Sequence, residues 1–272
     1  MGAVARGISL LYGDFAVLEP DDFADFHIAV AAPAGLRRWV RPQVIFSLDG
    51  FAPFRPLPAN QAYPMFEWGL NWCIAAHAHN YLVIHAAVVE RSGRAVVLPA
   101  PPGSGKSTLC AGLVARGWRL LSDELTLLDL DSGLIQPLAR PVNLKNASID
   151  VIRGFHAGAV ITAPVHDTTK GTVALMRPPP ESVARAGEPA LPAWVVFPRY
   201  IAGAPAVLET KSKAQTFMRL VEQAFNYDIL GARGFEAAGN LVDRCACFEF
   251  SYGDLDDAVA VFDSLAAQAE RS

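Results

Sequence analysis

A glycine-rich turn between an apolar strand and a helix constrains the fold of this chain more than any other feature. Residues 100–107 read Ala-Pro-Pro-Gly-Ser-Gly-Lys-Ser, which matches the pattern G-x-x-x-x-G-K-S/T except at Ala100, where the pattern has glycine. The apolar run 95–98 leads into the turn, and helical spacing follows over about 106–116. Because alanine is tolerated wherever φ is negative, the substitution leaves the pattern usable. A strand, loop and helix in this order predict an α/β fold.

The spacing of the motif has a chemical reason. Glycines in the turn allow successive backbone N–H groups to curl around a phosphate, and the positive end of the following helix faces the same anion. Lys106 would reach the β- and γ-phosphates, and the hydroxyl of Ser107 would bind Mg²⁺. The sequence therefore predicts ATP and Mg²⁺ as ligands. The residues expected to form the nucleotide site are Ala100, Pro101, Pro102, Gly103, Ser104, Gly105, Lys106, Ser107 and Thr108.

Two acidic sites follow this helix and compete for the role beside the phosphates. Asp129 ends an apolar run, as the strand-ending carboxylate of P-loop ATPases does, but the Asp-Ser-Gly turn at 131–133 gives it an ordinary explanation. Asp123 and Glu124 instead interrupt an otherwise apolar region. We therefore favour Asp123 and Glu124 as the carboxylates that hold Mg²⁺ and orient an acceptor hydroxyl.

The central stretch resembles the catalytic domain of the HPr kinase/phosphorylase family, and most of the chain is similar to the HPr-kinase-related serine kinases of the A type. The resemblance rests on His85, the loop 100–107, Arg116-Gly117 and Asp123-Glu124, together with the stretches 140–152, 167–172 and 197–200. It implies a P-loop kinase domain of the HPr kinase type with a mixed β-sheet. It also implies that a homo-oligomer could form, as HPr kinases assemble.

The same resemblance implies roles for individual residues. Asp123 would be the base for the acceptor hydroxyl, and Glu124 would help Asp123 and Ser107 to hold Mg²⁺. His85 would stand near the acidic pair and the γ-phosphate. Glu124 departs from the family pattern, which has aspartate at this position.

Several cations outside the loop are candidates for meeting the charge of a transferring phosphoryl group. Arg140 and Lys145 flank a Pro-Val-Asn-Leu segment that we interpret as a turn, and Lys170 lies in a polar loop before a strand. We rank Arg140 and Lys170 first for phosphate or acceptor contact, ahead of Lys145 and Arg199. A solvated loop charge is the alternative for each of them.

Turn residues divide the chain into a small β-rich N-terminal region, residues 1–60, and a kinase domain, residues 61–272. Strands are expected at 8–12, 26–32 and 43–48, with a helix over 61–78 and strands at 81–89 and 94–99. Later strands are expected at 120–121, 125–130, 172–176, 194–200 and 245–251. Later helices are expected at 214–224, 234–242 and 255–268.

Composition excludes some partners. The net charge is −4 and no run rich in Lys or Arg occurs, which argues against a nucleic-acid partner. The most apolar span, residues 74–89, is interrupted by polar residues, so no membrane span is expected. The four cysteines form no C-x-x-C pair, and reduced thiols fit a cytoplasmic protein.

The leading hypothesis is an ATP-dependent kinase, a transferase acting on a hydroxyl, most simply that of serine, in a small protein, peptide or metabolite. The alternative is a nucleotide-binding regulatory or scaffold protein with little transfer activity. Asp123 at the position of a base favours the kinase.

Overall fold

The structure, a computed structural model, describes residues 2–19 and 21–271. The fold is mixed α/β, with one mixed sheet and three antiparallel sheets among these residues. The α-helices are α1 Gly2–Leu11, α2 Ala62–His77, α3 Lys106–Ala115, α4 Ala147–Phe155, α5 Pro180–Ala184, α6 Lys213–Val221, α7 Tyr227–Leu230, α8 Ala232–Arg244 and α9 Leu255–Glu270. The strands are β1 Ile28–Ala31, β2 Gln43–Leu48, β3 Leu57–Pro58, β4 Tyr81–Ile84, β5 Ala86–Arg91, β6 Arg94–Pro99, β7 Arg119–Ser122, β8 Thr126–Asp129, β9 Ile135–Gln136, β10 Val142–Lys145, β11 Val165–Thr168, β12 Gly171–Met176, β13 Leu191–Tyr200, β14 Val207–Thr210 and β15 Ala246–Tyr252.

The mixed sheet has six strands in the order β14-β15-β13-β6-β5-β7. Its centre is parallel, because β13 pairs in parallel with both β6 and β15. The carboxyl ends of these three strands therefore meet at one edge, where Pro99, Tyr200 and Tyr252 are the last strand residues. In open α/β sheets, ligands bind outside this edge. The loop that follows β6 starts there.

Both faces of this sheet are covered. Along β6, Val96 and Leu98 point into a cluster that includes residues of α3, α4 and α9. The alternate residues, Ala95 and Val97, point into a cluster that includes residues of α6 and α8. This alternation follows from the two-residue period of a strand, and burial on both faces explains why β6 is apolar throughout.

The helix after the loop forms where the sequence predicts it. α3 begins at Lys106 and ends at Ala115, and Gly117 has the left-handed φ of 90° expected of the glycine that ends a helix. The N–H groups of Gly117 and Trp118 donate to the carbonyls of Val114 and Leu113, both at 3.1 Å. These bonds satisfy acceptors that the end of the helix would otherwise leave open.

Three local expectations are wrong. Residues 8–12 are not a strand: α1 is a helix, and its Gly7 lies so close to the Tyr63 ring that a Cβ there would come within 2.3 Å of it. The expected strand 81–89 is two strands, β4 and β5, which belong to different sheets and part at His85. The segment expected to be a turn between Arg140 and Lys145 contains a strand, β10, which pairs with β12.

The N-terminal sheet, in the order β1-β2-β3, packs with α1 and α2 around one hydrophobic cluster. Val44 and Phe46 of β2 meet Tyr63 and Met65 of α2 there, and Leu175 of β12 joins them. This cluster crosses the proposed boundary at residue 60. The division into residues 1–60 and 61–272 stays a prediction.

Two observations concern the compartment and the thiols. No helix in residues 2–19 or 21–271 is long and apolar enough to cross a bilayer. Cys73, Cys110, Cys245 and Cys247 are all free and buried, as expected of cysteines that pack as small apolar side chains.

Candidate functional site

The loop between β6 and α3 is held against the ends of the neighbouring parallel strands. The N–H of Tyr200 donates to the carbonyl of Ser104 at 2.9 Å, and the hydroxyl of Tyr252 donates to the carbonyl of Gly105 at 2.9 Å. Gly103 and Gly105 both have positive φ, 87° and 91°. A Cβ at Gly105 would lie 2.6 Å from the Tyr252 hydroxyl and 2.8 Å from Cβ of Tyr200, whereas one at Gly103 would meet open space. Position 105 therefore requires glycine for two independent reasons.

Lys106 begins α3 and is buried, with 6% of its surface exposed. Its ammonium has no hydrogen-bond partner within the described ranges. Burial lowers the pKa of Lys106, and the nearby carboxylates of Glu124 and Asp123 oppose this shift. A buried ammonium without a partner is costly in an interior, so it is a candidate ligand for an anion.

Asp123 follows the end of β7 and is almost completely buried, with 3% exposed. Its Oδ2 accepts the backbone N–H of Asn143 at 2.9 Å, while Oδ1 is buried and has no hydrogen-bond partner in the part of the chain that the structure describes. Burial and then the charge of Glu124 raise the pKa of Asp123 above its ordinary value. The Lys106 ammonium, the Asn143 N–H and the Ser107 hydroxyl act in the opposite direction.

Glu124 lies among cations. Its Oε1 is 3.4 Å from Nζ of Lys145 and accepts the side-chain amide of Asn143 at 3.3 Å. Burial alone would raise the pKa of Glu124, but the charges of Lys145, Lys106 and then Lys170 outweigh it and hold the pKa well below its usual range. The two adjacent carboxyl groups therefore have shifts of opposite sign, with Asp123 the easier to protonate.

His85 stands at the break between β4 and β5. Its Nε2 is 3.8 Å from Oε2 of Glu124, and its backbone N–H donates to the carbonyl of Gln223 at 2.7 Å. The imidazole also lies beside Phe225, with ring centroids 5.9 Å apart. Burial, followed by the charge of Lys106, lowers the pKa of His85 to about 4, so the ring is neutral at pH 7. It can accept or donate a hydrogen bond but adds no charge.

Two further lysines approach this acidic pair. Lys170 lies on the turn between β11 and β12, with its ammonium 5.0 Å from the centre of the Trp68 ring. Lys145 ends β10, two residues after Asn143, so both side chains face the same way. The sequence analysis ranked Lys145 below Arg140 and interpreted the segment between them as a turn. The alternation of apolar and polar residues over 142–145 could have identified this segment as a strand, with Asn143 and Lys145 on one face.

The guanidinium of Arg140 makes its hydrogen bonds away from the loop 100–107. Its guanidinium donates to Oε2 of Glu67 at 2.5 Å, to Oδ1 of Asn71 at 2.6 Å and to the hydroxyl of Tyr12 at 3.2 Å. Glu67 and Asn71 lie on α2, and Tyr12 directly follows α1. This network engages the donors of the Arg140 guanidinium, and the phosphate or acceptor contact expected of Arg140 stays a prediction.

Asp129 has the ordinary explanation that the turn suggests. Its Oδ1 accepts the N–H of Ser132 at 2.8 Å, the hydroxyl of Ser132 at 2.7 Å and the N–H of Asp131 at 3.3 Å. These bonds lower its pKa, and they stabilise the turn between β8 and β9. Asp129 therefore serves the local backbone.

The oxygen ligands near the loop suit a metal that shares its coordination with a phosphate. Asp123, Glu124 and the Ser107 hydroxyl are the candidates. No group of three or more His, Cys, Asp or Glu side chains able to hold a metal occurs among the residues that the structure describes. Mg²⁺ at phosphate sites usually takes one or two carboxylates, with water and phosphate completing its octahedron.

Comparison with known proteins gives limited matches. Residues 65–134, which include most of α2, the loop and the acidic pair, match the family described as ScmC, the SynChlorMet cassette protein. No curated protein matches the chain. A solved structure, the HPr(Ser) kinase/phosphatase from Coxiella burnetii, aligns over 70% of this chain and 97% of that chain, with a TM-score of 0.31 and 9% identity. A similarity this weak says nothing about activity.

Proposed function

We propose that this chain binds ATP and Mg²⁺ at the loop 100–107 and transfers the γ-phosphate to a hydroxyl group. The acceptor would be a serine, or another hydroxyl, in a small protein, a peptide or a metabolite. One observation carries the proposal: the ammonium of Lys106 is buried without a hydrogen-bond partner among the described residues, beside the carboxylates of Asp123 and Glu124.

A polyanion would satisfy the groups that are otherwise unfavourable here. Desolvating an ammonium costs several kcal/mol unless it is paired, and phosphate oxygens would supply the missing acceptors for Lys106. The N–H groups at the start of the ten-residue helix α3 and the loop with positive φ at Gly103 and Gly105 add donors for the same anion. Lys145 and Lys170 extend the positive field over the acidic pair.

The residues present also fit Mg²⁺. Ser107 and Glu124 would hold it, with the charge of Asp123 beside them, since hydroxyl and carboxylate oxygens are the ligands that this ion prefers. The depressed pKa of Glu124 keeps its carboxylate charged and able to bind. When bound, Mg²⁺ supplies positive charge that neutralises the charge developing on the phosphates.

The carboxylate of Asp123 is the group that would receive the proton. The acceptor oxygen forms a bond to the γ-phosphorus, the bond from that phosphorus to the β,γ-bridging oxygen breaks, and ADP leaves. The proton of the acceptor hydroxyl passes to Oδ1 of Asp123, which has no hydrogen-bond partner within residues 2–19 and 21–271. A raised pKa makes this carboxylate a stronger base than an ordinary aspartate. His85, whose Nε2 lies 3.8 Å from Oε2 of Glu124, would stay neutral and add no charge there.

The test separates binding from transfer. Titration calorimetry with ATP and Mg²⁺ should show a saturable site, and γ-labelled ATP should pass label to water or to serine-containing peptides. Binding with no transfer to any hydroxyl would favour the regulatory or scaffold protein instead. Absence of binding would end the proposal.

A further inference from the structure

A buried ion pair between Arg140 and Glu67 joins α2 to the segment that leads into β10 and the candidate site. Arg140 and Glu67 are 13% and 5% exposed in their side chains, with Nη2 and Oε2 2.5 Å apart. Nη2 also donates to the backbone carbonyl of Glu67 at 3.2 Å, and Nη1 donates to Oδ1 of Asn71 at 2.6 Å. All three contacts bind the guanidinium to α2.

Two tyrosines complete the network. The hydroxyl of Tyr63 donates to Oε1 of Glu67 at 2.9 Å. The hydroxyl of Tyr12, just after α1, lies 3.0 Å from both carboxylate oxygens of Glu67 and accepts Nε of Arg140 at 3.2 Å. A buried charge pair whose remaining donors and acceptors are satisfied holds its partners in one arrangement, whereas breaking it strands a charge.

The network lies directly upstream of the residues that hold the acidic pair. Arg140 is three residues before Asn143, whose N–H fixes Asp123, and five before Lys145, which approaches Glu124. The two groups of residues also line one small cavity. Its lining includes Glu67, Asn71, Asp123, Glu124, Arg140 and Asn143.

We propose that Arg140 is a positioning residue for the transfer reaction: by anchoring the start of β10 to Glu67 of α2, it sets the placement of Asn143 and Lys145 and hence of Asp123 and Glu124. Tyr12, which belongs to residues 1–60, is thereby linked to the catalytic architecture through Glu67 and Arg140. This inference rests on the proposed function, because Asp123 matters as a base only if transfer occurs.

A second tether of the same region provides the matched control. Arg177 donates to Oδ2 of Asp14 through Nε at 2.9 Å and Nη2 at 2.6 Å. This pair also joins the N-terminal segment to the rest of the chain, but Arg177 follows β12, the partner strand of β10, rather than leading into β10 itself. If general docking of the N-terminal region were all that mattered, Arg177→Gln would have the same effect as loss of the buried pair.

The experiment replaces the buried pair with apolar residues, Glu67→Leu with Arg140→Met, since such paired replacements avoid stranding a charge. Circular dichroism establishes that the full chain folds. We expect hydrogen exchange of the amides at 142–145 to accelerate at least about tenfold. ATP turnover should fall at least about tenfold, because a displacement of about 1 Å at reacting groups can reduce the rate about 100-fold. The Kd for ATP should stay within about twofold. If the double variant does not fold, Tyr12→Phe, which removes one hydroxyl from the network, should shift exchange and turnover in the same direction.

The possible results are distinguishable. Unchanged exchange at 142–145, or normal turnover in a folded double variant, would overturn the positioning role, and so would equal effects from Arg177→Gln. The unsubstituted protein could also show no ATP binding or turnover while the double variant shows faster exchange. That result would contradict the proposed function and any catalytic role for Arg140, and the anchor would then be a feature of the fold alone.

Discussion

The backbone N–H of Asn143 donates to Oδ2 of Asp123 at 2.9 Å and fixes the carboxylate from one side only. The other oxygen, Oδ1, is buried and has no hydrogen-bond partner within the described ranges. One oxygen therefore sets the orientation of the group while the other stays available to a proton or a metal. This division of roles within one carboxylate is what a base needs, since geometry and proton affinity are then set separately.

Asp123→Asn should abolish most of the transfer activity and spare nucleotide binding. The asparagine amide keeps the shape and its oxygen can still accept the N–H of Asn143, but it cannot take a proton. We expect the rate of label transfer from γ-labelled ATP to fall about 10²- to 10⁴-fold, with calorimetry giving a similar Kd for ATP. Asp129→Asn, the same change at a turn carboxylate, is the control. A normal rate in Asp123→Asn would show that another group is the base.

Lys106→Met should weaken ATP binding, because it removes the buried ammonium that the phosphates are proposed to satisfy. A hydrogen bond to a charged group contributes about 1.5–3 kcal/mol, so the Kd measured by calorimetry should rise about 10- to 100-fold. Lys211→Met removes the same charge from an ion pair with Glu249 on β15 and should leave the Kd unchanged. Equal effects of the two substitutions would mean that only net charge matters.

Local patterns predicted the strand, loop and helix around this site. The apolar run into the loop, the helix at Lys106 and its glycine end follow from periodicity and from backbone preferences that act within a few residues. The preference for Asp123 over Asp129 also came from local chemistry, since a turn explained only Asp129. The bonds from Ser132 to Asp129 confirm that explanation.

Tertiary contacts determined what the sequence could not. Arg140 binds Glu67, which is 73 residues away, so no nearby residue indicates where its guanidinium goes. Lys145 was ranked below Arg140, yet it lies on β10, which was not recognised and which is a strand by virtue of its pairing with β12. The short apolar run at 8–12 fits either a strand or the end of a helix, and packing against Tyr63 of α2 selects the helix.

Gly105→Ala should be more damaging than Gly103→Ala, although both glycines have positive φ. The backbone conformation alone costs an alanine about 1–2 kcal/mol at either position. Only at 105 does the new Cβ also meet Tyr252 and Tyr200. We expect urea denaturation to show the larger loss of stability for Gly105→Ala, together with weaker ATP binding. Equal losses would indicate that the loop relaxes away from the two tyrosines.

Asp123 should make the protein without nucleotide less stable as the pH rises. Its folded pKa, about 6, lies above its ordinary value of 3.8, so the folded state holds the proton more tightly. That contribution is present below about pH 4 and is lost as the pH rises through about 6, with a limit of about 3 kcal/mol. The free energy of unfolding of the unsubstituted protein, measured relative to Asp123→Asn, should therefore fall between pH 4 and 6. A difference that stays constant over this range would show that Asp123 titrates normally.

His85 should produce the opposite trend over nearly the same range. Its folded pKa, about 4, lies below its ordinary value of 6.5, so between these values the unfolded chain binds the proton more tightly. Acidification from about pH 6.5 to 4 should thus destabilise the unsubstituted protein relative to His85→Gln, by at most about 3 kcal/mol. His27→Gln, at an exposed imidazole, controls for losing one histidine from the unfolded chain. One series of urea denaturation curves from pH 4 to 7 measures both Asp123→Asn and His85→Gln, and the two stability differences should change in opposite directions. Parallel changes would contradict the opposite pKa shifts of His85 and Asp123. Both shifts follow from burial in the same site, because burial disfavours the charged form of each group: the imidazole loses its proton more easily and the carboxylate gains one more easily.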